Sequence, residues 1–108
     1  MTESKNDVRL CGVLTRDPEF IRHHRGKLAR LQLTTEEYHK NARGQTIKCI
    51  QWHQLSAWGE EAEMAAQFMK KGTALFVQGR LVHNNFKDKE GIRRQVSEVS
   101  LTNVEILG

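Results

Sequence analysis

Apolar residues alternate with polar ones over short stretches of this chain, and Gly-containing polar segments separate the stretches. That is the pattern of a mostly β domain. The first strand is predicted over residues 7–15, with Val8, Leu10, Gly12 and Leu14 on one face, and it ends at Asp17-Pro18. The second covers 28–38, where Ala29, Leu31 and Leu33 alternate with Arg30, Gln32 and Thr34 after the turn Arg25-Gly26-Lys27. The third covers 46–58, beyond the loop Lys40-Asn41-Ala42-Arg43-Gly44. The fourth covers 73–86, entered through Lys71-Gly72, and the fifth runs from Ile92 to Val99 and continues, after a break, to Ile106. One segment departs from period two. Over 60–71, Ala62, Ala65, Ala66 and Met69 recur at spacings of three and four, one face of a helix. Glu60, Glu61 and Glu63 at its start and Lys70-Lys71 at its end suit the helix dipole, and Gly72 suits a C-terminal cap.

Three strands, a helix and two strands fit the OB-fold, a five-stranded Greek-key β-barrel, here with the helix between strands three and four. A chain of 108 residues, 38% apolar, fits a single domain spanning 1–108 with one modest core. No repeat or linker interrupts it. No apolar run is long enough to cross a membrane, and residues 1–7 lack the apolar stretch of a secretory signal. The expected location is cytoplasmic and nucleoid-associated.

Lys and Arg number 17 against 13 Asp and Glu, a net charge of +4. The excess is compatible with a polyanionic partner without proving one. Basic residues gather from Arg22 to Arg30, at Lys70-Lys71 and from Lys87 to Arg94. Cys11 and Cys49 lie in apolar runs with no Cys-x-x-Cys and no zinc spacing, so two buried, reduced thiols are expected. His23-His24 reads as a solvated pair in a basic turn rather than a metal site. The sequence has no paired carboxylates on one element, no Gly-rich phosphate loop and no nucleophile beside a base. Nothing in it argues for an enzyme, a metal or a cofactor.

Strand parity separates the aromatics. In the third strand Ile47, Cys49, Leu55 and Ala57 form the more apolar set. Trp52 and Trp58 fall on the other face, with Lys48 and Gln54. In the fourth, Leu75, Val77, Gly79 and Leu81 are the core set, opposite Gln78, Arg80, Asn84 and Phe86. Tyr38 shares the parity of Arg30, Gln32 and Thr34. Tyr38, Trp52, Trp58 and Phe86 therefore stand on non-core faces among cations and amides, whereas Phe20, Phe68 and Phe76 read as packing residues. Exposed rings of this kind suit stacking of nucleic-acid bases, and neighbouring cations suit phosphates. A β-bulge would flip the parity and turn the rings into core. The cations expected on the backbone are Lys48, Lys71, Arg80, Lys87 and Arg93. Residues 40–44 read equally well as a soluble hairpin tip or a DNA-contacting loop.

The stretch Asn6-Asp7-Val8-Arg9-Leu10-Cys11-Gly12-Val13-Leu14-Thr15-Arg16-Asp17-Pro18-Glu19 resembles the opening strand of bacterial single-stranded DNA-binding proteins. Trp52-His53-Gln54-Leu55-Ser56-Ala57-Trp58-Gly59-Glu60-Glu61-Ala62-Glu63 resembles their third strand and helix start. Lys70-Lys71-Gly72 and Val77-Gln78-Gly79-Arg80-Leu81 resemble the helix exit and the fourth strand of the same proteins. The likeness runs from about Asn6 to Ile106. It implies an OB-fold assembled as a homotetramer, binding single-stranded DNA in replication, recombination or repair. The family's base-stacking positions would fall on Tyr38, Trp52, Trp58 and Phe86, although Tyr38, Trp58 and Phe86 differ in type from the family's most familiar aromatics. His53 matches a position linked to subunit association, and its core parity makes an interface the expected place for it.

Two departures stand out. Val82-His83-Asn84-Asn85 occupies a stretch that is richly basic in many members, which implies fewer phosphate contacts there. The sequence also stops at Gly108, before the flexible tail and acidic tip with which members recruit enzymes. Either the form is tail-less or the sequence is cut there, and tail-mediated recruitment is not expected of these residues. Two other readings compete: an OB protein like primosomal replication protein N, a dimer, and an OB interaction module whose rings bury against a partner chain.

Overall fold

Long runs of alternating side chains favour extended hairpins, and two of them dominate the molecule. The computed structural model describes residues 4–87 and 90–108, leaving out the side chains of Phe86 and Lys87. The elements are β1 (Val8–Leu14), β2 (Glu19–His23), β3 (Gly26–Lys40), β4 (Thr46–Trp58), α1 (Glu60–Phe68), β5 (Ala74–Lys87) and β6 (Arg93–Ile106). β3 and β4 pair antiparallel in unbroken register from Leu28 opposite Trp58 to Lys40 opposite Thr46. Their turn is held by Asn41, whose Oδ1 accepts the backbone N–H groups of Arg43 and Gln45, both at 2.9 Å. β5 and β6 form the second hairpin, with Thr102 the extra residue where the register shifts at Gln78/Gly79.

The sheet closes into a barrel. Its order is β1-β5-β6-β4-β3-β2, and β1 returns to β3 at Val13–Thr34 and Leu14–Leu33. β4 and β6 touch in parallel at Leu55–Val99 and Ser56–Ser100. Inside lie Leu14, Leu31, Leu33, Leu55, Leu75 and Val77, all fully buried. Burial of each such side chain stabilises the fold by about 1.5–3 kcal/mol. α1 adds Ala62 and Ala65 to this core, and Met69 follows them. The five-stranded barrel with one helix is the OB architecture that the element order predicts.

Several expectations are corrected. A sixth strand, β2, pairs among the described residues only with β3, outside the closed barrel. It extends the hairpin into what reads as a basic turn, and β3 accordingly begins at Gly26 rather than Leu28. The helix ends at Phe68, so Lys70 and Lys71 lie beyond its last turn. Met69 is extended and buried, and drawing its side chain into the core pulls the chain off the helical path. Gly72, at φ 93°, serves instead the turn in which Thr73 N–H donates to Lys70 O at 3.0 Å.

The packing reading fails for Phe20 and Phe68, which are 53% and 63% exposed, while Phe76 is half-buried. Cys11 is exposed and Cys49 half-buried, so neither is a core thiol. Leu81 and Ile47 have core parity yet are 42% and 45% exposed. Both stand where a strand outruns the barrel: β1 begins opposite Gly79, before Leu81, and Ile47 lies near the tip of the β3–β4 hairpin.

Candidate nucleic-acid interface

Because the β3–β4 register is unbroken, parity fixes one face along its whole length. That face carries Leu28, Arg30, Gln32, Thr34, Glu36 and Tyr38 from β3 and Lys48, Ile50, Trp52, Gln54, Ser56 and Trp58 from β4, and at its Trp58 end Leu28 and Ser56 are buried. Tyr38 is 62% and Trp52 64% exposed. Trp58 is half-buried: the His23 ring meets it edge-on, with centroids 5.1 Å apart and planes at 85°. Ile50, 52% exposed between Lys48 and Trp52, adds an apolar surface that neither a ring nor a charge marks in the sequence.

The cations are disposed unevenly. Lys48 pairs with Glu36 at 3.1 Å, and the Tyr38 hydroxyl donates to the same carboxylate at 3.2 Å. The Lys48 hydrogen bond first, then that of Tyr38, holds the Glu36 carboxyl below its usual range, and the carboxylate in turn raises Lys48. Both groups are thus charged at neutral pH, with an anion standing among the proposed contacts. Replacing Glu36 with Gln removes that anion and frees Lys48. The expected result is tighter binding of oligothymidine by about threefold at low salt, with a steeper salt dependence, read by fluorescence titration. Unchanged or weaker binding would mean that this end of the hairpin does not meet phosphate.

Arg80 lies on β5, opposite Ser100 on β6, and lines a concavity with Trp58. Arg93 is exposed near the tip of the second hairpin, where its backbone pairs with that of Lys87. Phe86 pairs with Arg94 in the same register, but the side chains predicted to stack and to contact phosphate at Phe86 and Lys87 lie outside the described residues. Lys71 sits in the turn before β5, its N–H donating to Asp17 Oδ1 at 2.8 Å, at the corner where β1 ends. His53 is half-buried on the opposite face of β4, and its Nε2 lies 2.9 Å from Thr35 Oγ1. That partner within the chain removes the expectation that an unsatisfied ring forces His53 into an interface.

Three adjoining concavities join strands that the sequence keeps far apart. One brings Arg16 and Arg30 to Gln54 and Glu98. The next holds His23, His24, Arg25 and Arg30 beside Trp58. The third holds Arg25 and Arg80, again beside Trp58. Asn84 and Glu98 line all three, and the Asn84 amide donates to the Glu98 carboxylate. Parity places Arg30 on this face, but nothing in local sequence brings Arg25 or Arg16 to it. No group of three or more potential metal ligands occurs among the described residues, and no helix of the described structure is long and apolar enough to cross a membrane.

Residues 5–107 match the single-strand binding protein family. The chain belongs to that family. It is 32% identical to single-stranded DNA-binding protein 1 of Chlorobaculum tepidum, over all of this chain and 68% of that protein. It is 30% identical to a single-stranded DNA-binding protein of Neisseria meningitidis, over 97% of this chain and 61% of that one. Among solved structures, a Plasmodium falciparum SSB in complex with ssDNA superposes with a TM-score of 0.87 at 20% identity. That match covers all of this chain and 99% of the other, and it shows the fold. A deletion mutant of the Thermus aquaticus single-stranded DNA binding protein gives 0.84 at 27% identity, over 96% of this chain and 51% of that one. This chain spans about two-thirds of the length of the Chlorobaculum tepidum and Neisseria meningitidis relatives and about half of the Thermus aquaticus chain.

Proposed function

We propose that this protein binds single-stranded DNA without strong sequence preference, stacking bases on the outer β3–β4 face and holding phosphates with the surrounding cations, in replication, recombination or repair. The observation that carries the reading is a pair of rings, Tyr38 and Trp52, each more than three-fifths exposed on one sheet face in a member of the single-strand binding protein family. Exposed rings gain little in water, whereas base–aromatic stacking is worth about 1–3 kcal/mol per base and tolerates every sequence. Trp58, Phe86, Lys48, Lys71, Arg80, Lys87 and Arg93 complete the proposed contact set. The reading places the protein in the cytoplasm, on the nucleoid.

The same reading includes self-assembly, as a homotetramer with a dimer as its alternative. In its support, β1 pairs with β3 only at Val13 and Leu14, so one edge of Val8–Gly12 has no strand partner among the described residues. Ile47 and Cys49, partly exposed, share the face of His53 and offer an apolar surface for a second copy.

Titration with oligothymidine, following tryptophan fluorescence at several salt concentrations with solution mass measured in parallel, tests both parts. Binding should quench the fluorescence strongly. Log affinity should fall against log salt by about 0.7 per phosphate neutralised, and Arg80→Ala should lessen that slope by up to about one while weakening all sequences alike. A flat salt response removes the phosphate contacts. Absence of quenching with the rings intact favours an interaction module, and a monomer at micromolar concentration overturns the assembly.

A further inference from the structure

The β2–β3 turn crosses over the Trp58 end of the proposed binding face. β2 and β3 pair as far as His23–Gly26, leaving His24 and Arg25 to make the turn. His23 Nδ1 accepts the Arg25 backbone N–H at 3.1 Å, and the His23 ring stacks on His24 at 4.1 Å while its edge meets Trp58. Burial, then the charges of His24 and Arg25, lowers the His23 pKa, which favours the neutral ring that can accept this hydrogen bond. The turn is thereby held against the indole, and Arg25 lines both concavities beside Trp58.

Arg30 borders the first of these two concavities and Arg80 the second. None of the three guanidinium groups has an ion-pair partner among the described residues. The carboxylate that lines the space with them, Glu98, accepts a hydrogen bond from Asn84. Three forked cations thus border two adjoining concavities in which Glu98 is the one carboxylate among the described residues, and the remaining excess of positive charge suits an anion with several acceptor oxygens.

We propose that Arg25, Arg30 and Arg80 form a phosphate site beside Trp58, that its ligand is the phosphodiester next to the base stacked on that indole, and that His23 is the positioning residue holding Arg25 and Trp58 in place. The proposal rests on the single-strand-binding reading above and assigns the β2–β3 turn a part in it. Arg22 provides a matched control. It lies three residues before Arg25, in β2, and carries the same charge, but it lines the groove shared with Ala62 and Ala66 of α1 rather than the concavities beside Trp58.

The test compares the unaltered chain with Arg25→Ala, Arg22→Ala and His23→Ala in oligothymidine titrations across a salt series, with melting temperatures alongside. Arg25→Ala is expected to weaken binding about five- to tenfold at low salt and to reduce the salt slope by roughly 0.7. Its melting temperature should hold, because the Arg25 side chain is exposed. Arg22→Ala should change neither quantity appreciably. His23→Ala should lower affinity and the salt slope, and adding Arg25→Ala to it should cost little more, whereas a His23 that merely lies nearby would leave the two losses additive. Arg25→Ala binding like the unaltered chain, or equal losses in Arg22→Ala and Arg25→Ala, overturns the site while leaving the general reading standing. No binding by the unaltered chain overturns both.

Discussion

Trp52→Ala should weaken oligothymidine binding by about 1–3 kcal/mol and leave the melting temperature nearly unchanged. The indole is 64% exposed and points outward from the barrel wall opposite Thr34, so its removal opens no core cavity. Trp58 should behave differently. It shares the face but is half-buried under His23 and pairs with the buried Leu28, so Trp58→Ala is expected to cost both affinity and about 1–2 kcal/mol of stability. Six residues of extended chain separate the two by roughly 20 Å, too far for one base to reach both. Their effects on affinity should therefore add within about 0.5 kcal/mol in the double mutant. Calorimetric melting beside fluorescence and anisotropy titration separates the outcomes. If Trp52→Ala melts early yet binds normally when folded, the ring belongs to packing and the binding face lies elsewhere.

The tryptophans are legible in the sequence because an antiparallel pair without a bulge conserves parity from end to end, and β3–β4 is such a pair. Parity states which face a residue takes but not where the barrel wall stops. Ile47, Cys49 and Leu81 therefore read as core and yet stand partly open. The strand β2 is hidden for a related reason. It pairs on one side only, and Phe20 and Arg22 are exposed on the same face of it, so no core-facing alternation marks it. The arginine groove is hidden more deeply still, since it depends on closure. Arg25 and Arg80 are brought together by the parallel contact of β4 with β6 and by the way the β2–β3 turn lies against Trp58; the sequence marks the turn at Arg25-Gly26-Lys27 but neither of these placements. The Asn84-Asn85 stretch, where the family resemblance implies cations, lies beside this groove, so positive charge missing from one strand reappears from its neighbours.

Barrel closure itself can be tested at two glycines. A Cβ on Gly12 would come within 2.2 Å of the Thr34 carbonyl oxygen, and one on Gly79 within 2.2 Å of that of Ser100. Both obstacles are backbone and cannot rotate aside as a side chain would. Gly12 precedes Val13, where β1 adds its pairing with β3 to that with β5, and Gly79 lies where the β5–β6 register shifts. An added methyl must therefore push two strands apart at a closure point. Gly12→Ala and Gly79→Ala are each expected to destabilise by about 3 kcal/mol, the upper end for overpacking, and so to lower the melting temperature by roughly 10–20 °C. Cys11→Ala, on the exposed side chain next door, should stay within about 0.5 kcal/mol of the parent. A Gly12→Ala protein that melts with the parent would show that β1 can shift away from β3 at little cost. Closure of the barrel at the β1–β3 contact would then have to be abandoned.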